Sequence, residues 1–196
     1  MADYKHIIID GYPWLGILKL SPETILETEK YKKLVFYKTF NEPVDNLPSH
    51  ITHIEFGDDF NQTVSNLPSG IKWLKFGMSF NQPIDYLPMG LEYLHLDANF
   101  NQPLDNLPTR IKTLYLMSIT FNYSLDNLPT SIEKIFIGIT LNYNKIITNL
   151  PSKIKKILVF NSYIYLEELK NLISAEEIKY NKKIEITIYN SKWIHN

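Results

Sequence analysis

From Tyr31 onward the apolar residues recur as triplets spaced three and then two apart. They are Tyr31, Leu34, Phe36; Ile51, Ile54, Phe56; Ile71, Leu74, Phe76; and Leu91, Leu94, Leu96. Then come Ile111, Leu114, Leu116; Ile132, Ile135, Ile137; and Ile154, Ile157, Val159. The last two of each triplet share one face of a short strand, and the residue between them points the other way. A second phrase separates the triplets. FNEPVDNLP begins at Phe40, FNQTVSNLP at Phe60, FNQPIDYLP at Phe80, FNQPLDNLP at Phe100 and FNYSLDNLP at Phe121. A degenerate LNYNKIITNLP begins at Leu141. The first four copies start 20 residues apart and the fifth follows after 21.

The triplet I-x-x-L-x-L is the strand signature of leucine-rich repeats. One such turn cannot bury its own apolar residues, but a stack of turns can. Each large apolar side chain fully buried between turns contributes on the order of 1.5–3 kcal/mol. The spacing predicts a parallel β-sheet on the concave face, with about 4.8 Å between strands and about 30–35 Å for seven turns. So short a turn leaves little room for a helix on its return path. Pro43, Pro83, Pro103 and the Pro of every Leu-Pro pair also oppose one. The predicted fold is a leucine-rich-repeat-like solenoid of stacked 20–22-residue turns. Its convex side is mostly extended or 3₁₀, and its caps are mixed α/β.

The polar positions recur too. Phe40, Phe60, Phe80, Phe100 and Phe121 are each followed by Asn: Asn41, Asn61, Asn81, Asn101 and Asn122, with Asn142 in the last copy. A buried amide at a turn satisfies backbone groups of the adjacent coil, so these pairs read as a structural ladder. Asp45, Asp85, Asp105 and Asp126 form a second column, interrupted by Ser65. Stacked carboxylates invite a cation. Turn capping suits Asp and Ser alike, and Ser65 favours it. No metal is assigned.

The two ends break the period. Residues 1–30 offer a strand at Ile7–Ile9, a turn at Asp10-Gly11 and an apolar run from Trp14 to Leu20. Ser21-Pro22-Glu23 then reads as a helix start. Residues 164–196 place Leu166, Leu169, Leu172 and Ile173 at helical spacing and alternate Ile184, Ile186 and Ile188 as a strand. Trp193 is expected to pack on this segment. The predicted organisation is an N-terminal cap (1–30), seven repeats (31–163) and a helix-plus-strand C-terminal cap (164–196). An extra residue near Ile119-Thr120 suggests a bulge. Two more lie between Asn142 and Leu150.

Function is expected on the outward residues of the strands. One outward column reads Lys33, His53, Trp73, Tyr93, Thr113, Lys134, Lys156. The other reads Val35, Glu55, Lys75, His95, Tyr115, Phe136, Leu158. Trp73, Tyr93, His95, Tyr115 and Phe136 form a diagonal aromatic patch, flanked by Lys75, His53 and Glu55. Large outward aromatics are enriched where proteins bind each other. They also suit strands intrinsically, and a second copy or a segment of the chain itself is an alternative cover.

Composition narrows the function further. The chain has 196 residues, no Cys and a formal charge of −1. Zero Cys excludes disulfides, thiolate zinc sites and cysteine nucleophiles. The balance disfavours a protein built to neutralise nucleic acid or an anionic membrane. Lys32, Lys72, Lys112 and Lys155 recur just before the strands, but Glu92 and Glu133 interrupt them. His6, His50, His53, His95 and His195 show no metal-ligand spacing. The chain has no G-x-S-x-G, H-E-x-x-H or phosphate-cradling loop. No catalytic residue, cofactor or metal site is assigned. No window is long enough to span a bilayer, and no signal peptide is apparent, so a cytoplasmic protein is expected.

The phrase F-N-Q-P-[IL]-D-N-L-P followed by I-x-x-L-x-L resembles the FNIP repeat, over residues 31–163. That family resembles leucine-rich repeats and is known mainly from social amoebae and from giant DNA viruses of amoebae. Many members carry an N-terminal F-box, which implies a substrate receptor for a ubiquitin ligase. The 30 residues before the first repeat are too few for one. The resemblance implies a non-enzymatic protein-interaction module, used in substrate recognition or in viral manipulation of a host protein. The alternative is a self-associating structural protein, for instance of a viral particle.

Overall fold

The computed structural model describes residues 3–138, 143–160 and 163–189. Its elements are β1 (Tyr4–Ile9), β2 (Tyr12–Ile17), α1 (Pro22–Thr28), β3 (Lys33–Phe36), β4 (His53–Glu55) and β5 (Trp73–Lys75). They continue as β6 (Tyr93–Leu96), β7 (Thr113–Leu116), β8 (Lys134–Ile137), β9 (Lys156–Phe160), α2 (Leu166–Tyr180) and β10 (Glu185–Tyr189). All ten strands form one sheet in chain order. β1 and β2 are antiparallel, and every later neighbour is parallel.

The triplets set the register. Leu34, Ile54, Leu74, Leu94, Leu114, Ile135 and Ile157 sit side by side across the sheet. All are buried. Behind them Phe40, Phe60, Phe80, Phe100 and Phe121 form a stacked column, with successive centroids 6.1, 6.1, 6.2 and 6.4 Å apart. Nearer the sheet, Phe36, Phe56 and Phe76 follow at 4.9 and 5.4 Å. Strands of one sheet lie about 4.8 Å apart. Spacing therefore widens from the sheet to the far side of the core, and the sheet lies on the inside of the curve.

Each return path is extended and closed at two corners. After the Leu-Pro pair, Ile51, Ile71, Leu91, Ile111, Ile132 and Ile154 donate their N–H groups to the Pro carbonyl three residues back. After the strand, the N–H groups of Phe40, Phe60, Phe80 and Phe100 do the same to Tyr37, Gly57, Gly77 and Asp97. Gly77 has to be small. A Cβ there would lie 2.4 Å from the Gly57 carbonyl oxygen of the turn before.

The extra residue of the fifth phrase falls in a bend after β7. It is not a β-bulge: the pairs Leu96–Leu116 and Leu116–Ile137 stay in register. The buried Ser118 hydroxyl makes room for it. Its Oγ accepts the N–H groups of Thr120 (3.1 Å) and Phe121 (3.0 Å) and donates to the Phe100 carbonyl at 2.6 Å. A side chain thus replaces the carbonyl that closes this corner elsewhere.

The last phrase is shifted from the expected reading. Leu141 and Asn142 lie outside the described residues. Tyr143 fills the phenylalanine position, buried and 6.1 Å from Phe121. Counted from Tyr143, the phrase YNKIITNLP is regular. Ile147 and Leu150 are buried in register with Val44 and Leu47. The two extra residues precede it.

At the N-terminal end, Asp10 and Gly11 both have positive φ (50° and 78°), as a two-residue hairpin turn requires. Ser21 caps α1 by accepting the Thr24 N–H at 3.3 Å, with Pro22 in the first turn. At the C-terminal end, α2 buries Leu169 and Ile173. β10 then adds to β9 in parallel, and Ile184 is buried just before it. Trp193 and His195 lie outside the described residues.

Candidate functional site

The outward columns of the sheet bring all eight expected face residues together. His53, Trp73 and Tyr93 are laterally paired neighbours, as are Glu55, Lys75 and His95. Tyr115 and Phe136 extend the second column. The rings stack on one another. Trp73 lies over Tyr93 at 4.9 Å and 11°, His95 over Tyr115 at 5.5 Å and 5°, and Tyr115 over Phe136 at 5.6 Å and 19°. Tyr93 and Tyr115, 5.5 Å apart, join the two columns. All eight residues are half-buried.

Three further rings complete the face. Trp14 meets His53 and Trp73 edge-on at 6.2 and 6.1 Å, so its indole reaches across the Lys33 row. At the other end Phe160 and Tyr189 lie 5.9 and 5.8 Å from Phe136. Leu158 keeps its expected place beside Phe136 in the outward column but is buried there. The alternation in Trp14-Leu15-Gly16-Ile17 was the available signal for Trp14: Leu15 and Ile17 face the core, so Trp14 cannot. The aromatic band therefore crosses the whole sheet from hairpin to last strand.

Charge on this face is partly cancelled. Glu55 is bridged by Lys75 at 2.6 Å, Glu92 by Lys112 and Glu133 by Lys155 at 2.7 Å, and Glu185 by Lys156. The Glu92 and Glu133 pairs lie along the leading rim, where each residue just before a strand bonds to its counterpart in the previous turn. Lys33 sits over the Tyr12 ring at 4.0 Å and Lys134 over Tyr115 at 5.6 Å. Burial, reinforced by Lys33 and Lys72, holds His53 below the ordinary imidazole value. Burial does the same for His95, against the pull of Asp97. Both shifts favour the neutral imidazole. Burial pushes the Tyr93 phenol up to about 12.

The convex columns are structural. The Asn61, Asn81, Asn101 and Asn122 N–H groups each donate to the side-chain oxygen of the Asn one turn earlier, at 2.9, 2.9, 2.8 and 3.2 Å. Gln62, Gln82 and Gln102 add a second donor to the same oxygens. These Asn residues are half-buried or exposed rather than buried as expected. The Asp column is linked likewise. Asp45, Asp85 and Asp105 accept the side-chain amides of Asn66, Asn106 and Asn127 at 3.1, 2.9 and 2.8 Å. Asp126 accepts the Thr148 and Asn149 N–H groups. Burial pushes its carboxyl up, but these bonds and one from Ser124 outweigh it and hold it below the usual range. Where Asp is replaced by Ser65, the partner Asn one turn on is replaced by Tyr86, which is 76% exposed. The link is lost at both ends together.

A curved parallel solenoid with this register and these columns is a leucine-rich-repeat-like protein. A family model described as FNIP Repeat matches four overlapping stretches, 40–79, 60–96, 80–118 and 100–140. Together they cover more than half of the chain, which belongs to the FNIP repeat family. Among solved structures it is similar to CroV588, described as a novel circular LRR protein, at 29% identity and a TM-score of 0.66. That match covers 82% of this chain and 24% of the other, so the chain spans about a quarter of that protein's length. No curated protein matches it. Among the described residues, no helix is long and apolar enough to cross a membrane.

Proposed function

We propose that the chain is a non-enzymatic protein-interaction module that docks a partner on its concave sheet face. The aromatic band carries this proposal. It runs from β2 to β10, interrupted at β3 by Lys33 and Val35, while the convex columns use their side chains to bind the turns together. The rings centred on Trp73, Tyr93 and Tyr115 supply the apolar anchor, and Glu55, Lys75 and His53 flank it. Segments 1–30 and 164–196 act as caps that also extend the face, through Trp14 and Tyr189. Recognition of a ubiquitin-ligase substrate, or of a host protein by a virus, would use this same surface. A pull-down comparing wild type with Trp73→Ala/Tyr115→Ala tests the proposal. Identical partners from both would remove the face from consideration.

One observation favours a second reading, self-association. The outer edges of β1 and β10 have no strand neighbour among the described residues, and unpaired edges template further pairing. Light scattering across a concentration series discriminates, because a constant monomer mass excludes it.

A further inference from the structure

Most of the charge that remains on the concave side is positive; the carboxylate that stands against it is Asp97, beside His95. Glu55, Glu92, Glu133 and Glu185 are each bridged by a lysine. Against them stand Lys33 and Lys134 on the face and Lys32, Lys72, Arg110 and Lys153 along the leading rim. None of these six forms an ion pair within 4 Å among the described residues, although Lys72 and Arg110 act on Glu92, Lys153 on Glu133 and Lys134 on Glu185 from farther off. Arg110 and Lys153 line one rim hollow of about 320 Å³, whose wall also holds the bridged Glu92–Lys112 pair and Glu133. The Trp14 indole N–H, in a ring only 6% exposed, also has no acceptor among the described residues. A chain with a formal charge of −1 thus gathers an excess of cations along one surface. The carboxylates of the Asp column lie on the opposite side.

We infer that the concave face takes an acidic, extended protein segment, whose carboxylates meet the leading rim and whose apolar side chains pack on the aromatic band. This rests on the docking role proposed above and adds the partner's chemistry. Complementary charge sets the register and speeds encounter, while the rings supply the contact area. A single-stranded nucleic acid would also be drawn to the cations, but the rings are poorly set to receive it. Base binding needs a free aromatic face. Here the faces are taken by one another at 4.9–5.6 Å. An inserted base would need roughly twice the ~3.4 Å nucleotide rise between rings. Glu55 and Glu185 also stand within the face and oppose a continuous phosphate backbone.

The test is a selection of random dodecapeptides on the immobilised full-length protein, followed by affinity measurement of the winners. A thymidine dodecanucleotide is measured in parallel. The expected winners are richer in Asp and Glu than the starting library and weaken as salt rises. They should lose binding to Trp73→Ala/Tyr115→Ala, and lose about tenfold or more to Arg110→Glu/Lys153→Glu. The rim pair is exposed, so it keeps the test valid if the ring variant fails to fold. Neutral or basic winners that still need Trp73 and Tyr115 would overturn the acidic partner and leave the docking face standing. Acidic winners indifferent to the rim reversal would overturn it too. Winners indifferent to both variants, or no winners, would overturn the docking face itself. Tighter binding of the oligonucleotide than of any peptide would replace the protein partner with a nucleic acid.

Discussion

On the convex side, Phe80 stacks between Phe60 and Phe100, and the Asn81 side-chain oxygen receives the Asn101 N–H. On the concave side, Trp73 stacks on Tyr93 and both side chains stay partly open to solvent. Both sides use the same period. On the convex side it yields identical neighbours whose polar atoms answer one another. On the concave side it yields a row of different residues with cations left over. Repetition holds the fold together, and departure from repetition marks the surface proposed here for recognition.

Removing a rung of the convex column should have the largest effect. Phe80→Ala opens a cavity between two rings and is expected to cost about 3–5 kcal/mol of unfolding free energy in a urea titration. A loss below about 1 kcal/mol would mean that the stack closes over the gap and that the columns do not hold it. Asn81→Ala comes next. It strips the acceptor from the Asn101 N–H and the Gln102 amide, at an expected cost of about 1–2 kcal/mol. A neutral result would show that water replaces the ladder.

The sequence carried much of this contrast, and its failures are instructive. Triplet spacing was enough for the strands, because inward Leu34 and Phe36 or Ile54 and Phe56 leave no other face for the residue between. The last phrase was misaligned because Leu141-Asn142 and Tyr143-Asn144 are both apolar-Asn pairs. Burial of the Tyr143 ring in the aromatic column distinguishes them, as does its spacing to Pro151, which matches Phe40 to Pro48. Trp14 joins the face through a strand that carries no repeat phrase of its own, and Phe160 through the residue just past the last triplet. The Asp column read as caps within a turn because its true partners, Asn66, Asn106 and Asn127, sit one turn away. That distance is the stacking itself, which spacing along the chain does not display. The paired change of Ser65 and Tyr86 was present in the sequence and acquires meaning only with that contact.

Repairing the broken link is a smaller and sharper test. Ser65→Asp with Tyr86→Asn should rebuild the carboxylate–amide contact and add about 0.5–1 kcal/mol, with neither single change achieving it. Strictly additive single effects would deny that the two positions touch. The smallest expected effect is on the concave side. His53 and His95 titrate below the ordinary imidazole value because of burial. As pH falls through that ordinary value, the unfolded chain takes up protons first and stability declines. His53→Gln/His95→Gln should flatten the slope of unfolding free energy between about pH 7.5 and about pH 5.5. An unchanged slope would place the titration elsewhere.

The most direct measurement joins stability and binding in one pair of variants. Trp73→Ala/Tyr115→Ala and Asn81→Ala are compared for unfolding midpoint and for retention of the wild-type partner. The ring variant is predicted to lose the partner while its fold persists, and the ladder variant to keep the partner at a lower midpoint. Retention of the partner by a folded ring variant would contradict the assignment of recognition to the concave face.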